Sequence, residues 1–152
     1  MSMKFHHVGI SVSDLDRSIH FYRDLLGMDL AHEPFALGGA EVERVMGMTG
    51  VSVTQAVMKK GNLMLELFQF ASPKPVRQDP DYKVADHGIT HFGIDIDDID
   101  AAYERMLAGG VRFHAPVTEF PGGIRATYAR DPDGNVVELL GIPAHRKDPP
   151  LS

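Results

Sequence analysis

The sequence predicts an α+β protein built from two tandem βαβββ modules, and two observations carry this prediction. The segment 6–16 aligns with the segment 90–100 at a constant offset (84 residues, His7 to His91), with His, Gly, Ile and two Asp identical. Both copies also end in a hairpin whose outgoing strand carries a Glu-Leu pair, Glu66-Leu67 and Glu138-Leu139. Matching elements in the same order indicate the duplication of one supersecondary unit.

Each module opens with a strand that leads into a helix. Apolar and polar residues alternate over 6–12 and over 90–96, which is typical of a strand with one buried face. Short oxygen-bearing side chains then predict helix starts because they accept the unpaired N–H groups of a first turn, and glycines predict the stops. The starts lie at Ser13-Asp14 and Asp97-Asp98, and the stops at Gly27 and Gly109-Gly110.

Three shorter strands are predicted after each helix. They lie at 29–32, 51–58 and 62–70 in the first copy, and at 112–115, 124–130 and 135–140 in the second. The turn Asp131-Pro132-Asp133-Gly134-Asn135 joins the last two strands of the second copy. The segment 35–50 is rich in Gly and Met and is predicted to be an irregular loop. We therefore expect one domain over 1–152, with module one at 4–72, a linker at 73–88, module two at 89–142 and a flexible tail at 143–152.

The composition of the chain excludes several classes of function. The chain has no cysteine, which excludes disulfides, thiolate metal sites and cysteine nucleophiles. The formal charge of −6 is spread along the sequence, so there is no basic face for nucleic acid and no cationic helix for a membrane surface. No apolar run approaches the roughly 20 residues that a membrane-spanning helix needs. We expect a cytoplasmic protein with a small-molecule substrate.

Two histidines and two glutamates occupy matching places in the repeat. His7 and His91 lie on the polar face of the first strand, each two positions before a glycine. Glu66 and Glu138 are each embedded in an apolar run on the last strand, where an unpaired buried carboxylate would cost several kcal/mol. Taken singly, such a histidine is more often a hydrogen-bonded core residue than a ligand, and such a glutamate is equally well explained as an outward-facing residue of a half-exposed strand. Because duplication lets matching residues converge, the four together favour a shared function.

Two imidazoles and two carboxylates form a ligand set of neutral nitrogen and hard oxygen. Such a set suits one divalent transition metal (Zn, Ni, Co, Fe or Mn) rather than Ca²⁺ or Cu(I). Four protein ligands leave two positions of an octahedral ion open for substrate or water, as a catalytic metal requires.

These residues resemble the vicinal-oxygen-chelate superfamily, which includes glyoxalase I, methylmalonyl-CoA epimerase, extradiol dioxygenases and drug-resistance proteins. The motifs run from His7-Val8-Gly9-Ile10 through Leu65-Glu66-Leu67 and His91-Phe92-Gly93-Ile94 to the 131–135 turn before Glu138-Leu139. The resemblance implies paired modules that form a curved mixed sheet around a metal-centred cleft. It also implies His7, Glu66, His91 and Glu138 as ligands, and a homodimer.

The resemblance implies a metal-dependent lyase or isomerase of the glyoxalase or epimerase type. Glu138, with Glu66 as the other candidate, would move a proton next to a metal-polarised carbonyl of the substrate. Glyoxalase I proteins carry Arg and Asn for glutathione where this chain has Ser11 and Phe70, which argues against glutathione thioesters. The alternatives are an Fe(II)-dependent extradiol-type dioxygenase, with Tyr128 and His114 near the iron, and a non-catalytic small-molecule-binding protein of the resistance type.

Four further residues are candidates for substrate binding. Gln55 lies in the middle of a strand and is expected to face the cleft, and Phe70 belongs to an apolar segment that could line a pocket. Tyr128 and Arg125 lie on the strand before the 131–135 turn, where an arginine can meet a substrate carboxylate or phosphate.

Overall fold

The computed structural model describes residues 3–146, and these divide into two compact units with a boundary between Arg77 and Gln78. The boundary falls inside the predicted linker 73–88. No helix among the described residues is long and apolar enough to span a membrane.

The first unit follows the predicted order, with two additions. Strand β1 leads into helix α1, which continues as a π-helix over His20–Leu25. Next come two short strands, β2 and β3, then a second helix, α2, and finally a long hairpin, β4–β5. The bounds are β1 Val8–Ser11, α1 Leu15–Ile19, β2 Asp29–Leu30, β3 Phe35–Gly38, α2 Ala40–Met46, β4 Ser52–Lys60 and β5 Leu63–Ser72.

The second unit repeats this order without a counterpart of α2 in the described residues. Its bounds are β6 Phe92–Asp95, α3 Ile99–Ala108, β7 Arg112–Phe113, β8 Thr118–Glu119, β9 Arg125–Arg130 and β10 Val136–Gly141, with a 3₁₀ turn at Ala144–Arg146. The predicted caps hold in both helices: the Asp14 carboxylate accepts from the N–H of Arg17, and the Asp98 carboxylate from that of Ala101.

Each unit builds its own mixed sheet from its described residues, and the two sheets have the same topology. The strand order is β1-β5-β4-β2 in the first and β6-β10-β9-β7 in the second, with β3 and β8 also paired to β4 and β9. The opening strand runs parallel to the last strand, and the hairpin is antiparallel. This topology confirms two tandem βαβββ modules, in which the second strand of each is split into two short pieces.

Alternation along the last strand separates a helix-covered face from a polar face. In β5, Leu65 and Leu67 are fully buried, whereas Glu66 between them remains partly exposed. In β10, Val137 and Leu139 are buried in the same way on either side of Glu138. A shift of one residue in register would bury the carboxylates and expose the leucines, so the core fixes the glutamates on the polar face.

One expectation needs correction. The segment 35–50 is not an irregular loop, since β3 pairs with β4 and the helix α2 lies between Gly39 and Gly47, both at positive φ. Residues 80–82, expected in the linker, pack on the second unit: the carbonyls of Pro80 and Tyr82 accept hydrogen bonds from Arg112 and Arg130.

Candidate metal centre

Each unit brings its predicted histidine and glutamate together. His7 precedes β1, and its Nε2 atom lies 3.5 Å from Oε2 of Glu66 on β5. His91 precedes β6, and its Nε2 atom lies 3.2 Å from Oε2 of Glu138 on β10. All four side chains are partly exposed, between 19% and 39% of their surface, so they are accessible to a ligand. The repeat predicted from sequence thus produces two equivalent His–Glu pairs.

The parallel pairing of the sheets explains why these residues meet. Gly9 is the register partner of Glu66, and Gly93 is that of Glu138. Each histidine lies two residues before its glycine and therefore on the same face as the glutamate. A Cβ on Gly93 would lie 3.2 Å from Oε2 of Glu138, which shows that this glycine leaves room for the carboxylate.

We expect Gly93→Ala to weaken metal binding by about tenfold while leaving the fold intact. The added methyl group would meet the ends of two side chains, Oε2 of Glu138 and Cδ1 of Leu140, each at 3.2 Å, rather than backbone, so the free energy of unfolding should change by less than about 1.5 kcal/mol. Gly9→Ala is the control, because its Cβ would meet the Phe68 ring at 3.3 Å and not a carboxylate. Metal titration and urea unfolding of both variants measure the two effects; equal metal affinity in both would contradict this role for Gly93.

A second contact orients each imidazole. Nδ1 of His91 lies 2.9 Å from Oγ1 of Thr90, and Nδ1 of His7 lies 2.7 Å from Nδ1 of His6. When Nδ1 carries the proton in such a contact, the Nε2 lone pair is free to face a metal, as is usual for metal-binding histidines.

The separation within each pair fits two ligands of one ion. Ligand atoms about 2.1 Å from a metal lie about 3.0 Å apart at a right angle and about 3.4 Å apart at the tetrahedral angle. The observed 3.2 Å for His91–Glu138 lies within this range, and the 3.5 Å for His7–Glu66 lies just above it. No group of three or more His, Asp or Glu that could hold a metal ion forms within residues 3–146. Each unit taken alone therefore supplies two ligands, and the assignment of all four to one ion remains a prediction.

The two pairs differ in the residue that lies beside the glutamate on the hairpin. Val57 pairs with Glu66, whereas Tyr128 pairs with Glu138. The ring of Tyr128 lies 5.0 Å from the ring of His91. Burial, and then the charge of Glu138, raise the pKa of the Tyr128 phenol, which therefore remains a neutral hydrogen-bond donor at neutral pH.

A cavity of about 270 Å³ lies beside the second pair. Glu138, Tyr128 and His114 contribute polar side chains to its wall. The rest of the wall is formed by Ala115, Pro116, Thr118, Phe120, Ala126 and Thr127. A mostly apolar pocket with a few convergent polar groups is typical of a small-molecule site.

In the first unit, Gln55 and Phe70 lie on the same sheet face as Glu66. Gln55 pairs with Phe68 on β5, two residues from Glu66, and only 6% of it is exposed. No described residue forms a hydrogen bond with its amide, so a ligand could do so. The Phe70 ring stacks on the Phe68 ring with centroids 6.2 Å apart. Both placements are compatible with the predicted role in substrate binding.

Arg125 is not brought to the candidate site. It lies three residues from Tyr128 on β9 and therefore faces the opposite side of the sheet. Its guanidinium donates two hydrogen bonds, of 2.6 and 2.7 Å, to the Asp100 carboxylate at the start of α3. That pair raises the pKa of Arg125 and lowers that of Asp100. The structure thus offers an intramolecular partner for Arg125 in place of a substrate anion.

Arg130 is not among the predicted substrate-binding residues. It lies on the same face as Tyr128, is 8% exposed, and donates from Nε to Nε2 of His114 at 2.8 Å. The sequence alone predicts that Arg130 lies on the same face as Tyr128, because residues two apart on a strand share a face. Its link to His114 depends on the pairing of β7 with β9, which the sequence does not reveal.

The comparisons with known proteins agree with this fold. Residues 4–139 match the sequence profile of the Glyoxalase/Bleomycin resistance protein/Dioxygenase superfamily, and the chain belongs to that superfamily. It is 33% identical to a 2-epi-5-epi-valiolone epimerase from Actinomyces sp., over 91% of this chain and 79% of that protein. It is 28% identical to the lactoylglutathione lyase of Haemophilus influenzae, over 91% and 92% of the two chains. A glyoxalase family protein from Bacillus cereus shares the fold with a TM-score of 0.85 at 24% identity, over 93% and 95% of the chains.

Proposed function

We propose that this protein is a metal-dependent isomerase or lyase that moves a proton on the carbon next to a substrate carbonyl. The observation that carries the proposal is the His91–Glu138 pair, which opens on a substrate-sized cavity beside Tyr128 and is repeated as His7–Glu66. The 33% identity to an epimerase supports a change of configuration at carbon as the reaction class.

His7, Glu66, His91 and Glu138 are the residues that would hold the metal. A bound divalent ion would supply Lewis acidity towards the carbonyl oxygen and so favour loss of the adjacent proton. The donor set of neutral nitrogen and carboxylate oxygen suits Zn, Ni, Co, Fe or Mn.

Glu138 is the group best placed to move the proton. Its carboxylate is the acidic side chain of a cavity wall that is otherwise mostly apolar. It accepts the proton from the substrate carbon and returns it to the same carbon on the other face or to a neighbouring carbon. Tyr128, as a neutral donor beside it, can hold a substrate oxygen in position. Glu66 lies beside the apolar Val57 and lacks such a neighbour on the hairpin.

Deuterium exchange tests the reaction directly. The metal-loaded protein is mixed with 2-epi-5-epi-valiolone, the ketone in the name of the epimerase, in D₂O and followed by NMR. We expect deuterium to enter the carbon next to the carbonyl, and chelation of the metal to stop it. Lactoylglutathione serves as the comparison substrate, and Ser11 and Phe70 predict that it is turned over poorly. Failure of both compounds to exchange or convert would contradict the proposal.

Metal content tests the ligand assignment. We expect one ion per chain in the wild type, and loss of most of it in His7→Ala and in His91→Ala, since removing a ligand weakens binding by orders of magnitude. His20→Ala is the control, because His20 lies on the helix of the first unit and contacts Asp24. Elemental analysis of the purified proteins gives the result. If one of these two variants kept the ion, its histidine would not be a ligand, and the site would be restricted to the His–Glu pair of the other unit.

One observation favours a second function. Tyr128 and His114 lie close together next to His91, with ring centroids 5.0 and 5.7 Å apart for the His91–Tyr128 and His114–Tyr128 pairs. These are the neighbours expected of an Fe(II)-dependent extradiol-type dioxygenase. Oxygen consumption by the anaerobically iron-loaded protein with catechol would support that alternative.

A further inference from the structure

The cavity of the second unit has few polar groups that remain available to a ligand. The Thr118 hydroxyl donates to the Pro116 carbonyl at 3.1 Å, and the Thr127 hydroxyl donates to the Ala115 carbonyl at 2.6 Å. Three polar groups of the wall are then left: the Glu138 carboxylate, the Tyr128 hydroxyl and the His114 imidazole. Among the lining residues, all of which are described, there is no Lys or Arg.

The hydrogen bond from Arg130 determines which nitrogen of His114 carries the proton. Nε2 accepts the Arg130 Nε–H at 2.8 Å and therefore presents a lone pair. The proton of the neutral ring must then reside on Nδ1. No described residue forms a hydrogen bond with Nδ1, so His114 retains one donor for a ligand of the cavity.

Arg130 cannot easily release His114 or bind a substrate itself. Its two other nitrogens donate to the Tyr82 carbonyl at 2.6 Å and to the Gly134 carbonyl at 2.8 Å. The guanidinium also lies 4.7 Å from the centre of the Tyr82 ring, and only 8% of the residue is exposed. Burial and the positive charges of Arg130 and Arg112 lower the pKa of His114, so the imidazole remains neutral at neutral pH.

We propose that His114 binds substrate through its Nδ1–H, which donates to an uncharged oxygen, and that the cavity selects a hydroxylated ketone over a carboxylate or phosphate. Arg130 acts as a positioning residue that fixes the tautomer of His114. The wall has no Lys or Arg to pair with a carboxylate or phosphate, and the donors that it offers, the His114 Nδ1–H and the Tyr128 hydroxyl, are neutral groups suited to an uncharged oxygen. A neutral substrate oxygen can accept from His114 or from Tyr128 while Glu138 faces the carbon. This inference rests on the proposed function for the role of Glu138.

The tautomer can be measured without any substrate. In protein labelled with ¹⁵N-histidine, the ¹⁵N shifts and couplings of His114 distinguish protonation at Nδ1 from protonation at Nε2. We expect Nδ1–H in the metal-loaded wild type. Nε2–H, or a charged ring at pH 7, would overturn the proposal whether or not the protein is an enzyme.

Two substitutions separate the donor from the contact with Arg130. His114→Asn places an amide nitrogen near the position of Nδ1 but does not reach Arg130. His114→Gln reaches Arg130 with its amide oxygen but leaves no donor at Nδ1. We expect His114→Gln to weaken the binding of 2-epi-5-epi-valiolone about 3- to 10-fold, as for the loss of one neutral hydrogen bond, and His114→Asn to recover part of this loss. His20→Gln, a histidine replaced outside the cavity, is the control.

The outcomes distinguish this proposal from the proposed function. NMR titration gives the dissociation constants, and lactoylglutathione is the anionic probe. Weaker ketone binding in His114→Gln but not in His114→Asn supports the role of His114 even if the wild type shows no turnover, in which case only the proposed function fails. The proposal is overturned if His114→Gln binds the ketone as tightly as the wild type does, or if it binds the ketone more tightly than His114→Asn does. It is also overturned if the wild type binds lactoylglutathione more tightly than the ketone. Absence of ketone binding to the wild type overturns it as well.

Discussion

Replacing Glu138 with Gln is expected to lower the rate of deuterium exchange into the substrate by about 10²- to 10⁴-fold, the usual contribution of a general base. The amide is almost isosteric with the carboxylate, so Gly93 still leaves room for it, but it cannot accept a proton from carbon. The side-chain oxygen can still serve as a ligand, and much of the metal should remain bound. The measurement is the NMR exchange experiment with 2-epi-5-epi-valiolone, together with metal analysis of the same sample.

Two matched variants make this result interpretable. Glu119→Gln changes the same functional group on β8, where the residue is exposed, and should exchange at the wild-type rate. Glu66→Gln tests the other candidate base. If the proton were carried by Glu66, the larger loss would appear in that variant. Unchanged exchange in Glu138→Gln would rule out Glu138 as the base.

The structure assigns the two glutamates different surroundings, which the repeat alone could not do. The duplication predicts equal roles, since both residues occupy the same position of the last strand. The hairpin partners break this equality, because Tyr128 lies beside Glu138 and Val57 beside Glu66. The difference depends on the antiparallel register of each hairpin, which the strand pattern does not specify from the sequence alone.

The elements that could be predicted are those that bury an apolar face. The strands and the helices α1 and α3 show periodic apolar residues, and the family resemblance is confirmed by the match over residues 4–139. The helix α2 was missed for a physical reason: it spans only Ala40–Met46 and has no buried residue, so its sequence carries no amphipathic signal. Gly39 and Gly47, which bound it, are equally typical of a loop.

The alternation of side chains along a strand determines which residues of β9 can share a face. Arg125 and Tyr128 are three residues apart and cannot face the same side of a regular strand, whereas Arg130 and Tyr128 can. The spacing alone therefore predicts which arginine of β9 shares a face with Tyr128. The carbonyl partners of Arg130 cannot be predicted in this way, because Tyr82 lies in a segment whose sequence indicates only a linker.

Replacing Gly134 with Ala is expected to cost at least about 3 kcal/mol of the free energy of unfolding. Gly134 lies in the β9–β10 turn at φ 94°, and a Cβ there would lie 2.5 Å from Cα and 2.6 Å from the carbonyl oxygen of Pro80. Backbone strain and overpacking each contribute about 1–3 kcal/mol, and the clash involves backbone that cannot rotate away.

Gly61→Ala is the matched control for this prediction, because Gly61 occupies the β4–β5 turn of the other module at φ 55° with no atom within 4 Å of the added Cβ. It should cost only the conformational term, about 1–2 kcal/mol. Urea unfolding followed by circular dichroism measures both variants, and equal losses would contradict the tight packing of Pro80 on the turn.

Gly134→Ala should also affect His114. The carbonyls of Gly134 and of Tyr82, two residues after Pro80, both accept hydrogen bonds from Arg130, so a shift that relieves the clash should weaken the hydrogen bond from Arg130 to His114. The ¹⁵N spectrum of His114 in Gly134→Ala should then show a mixture of tautomers, which links the stability of this turn to the chemistry of the cavity.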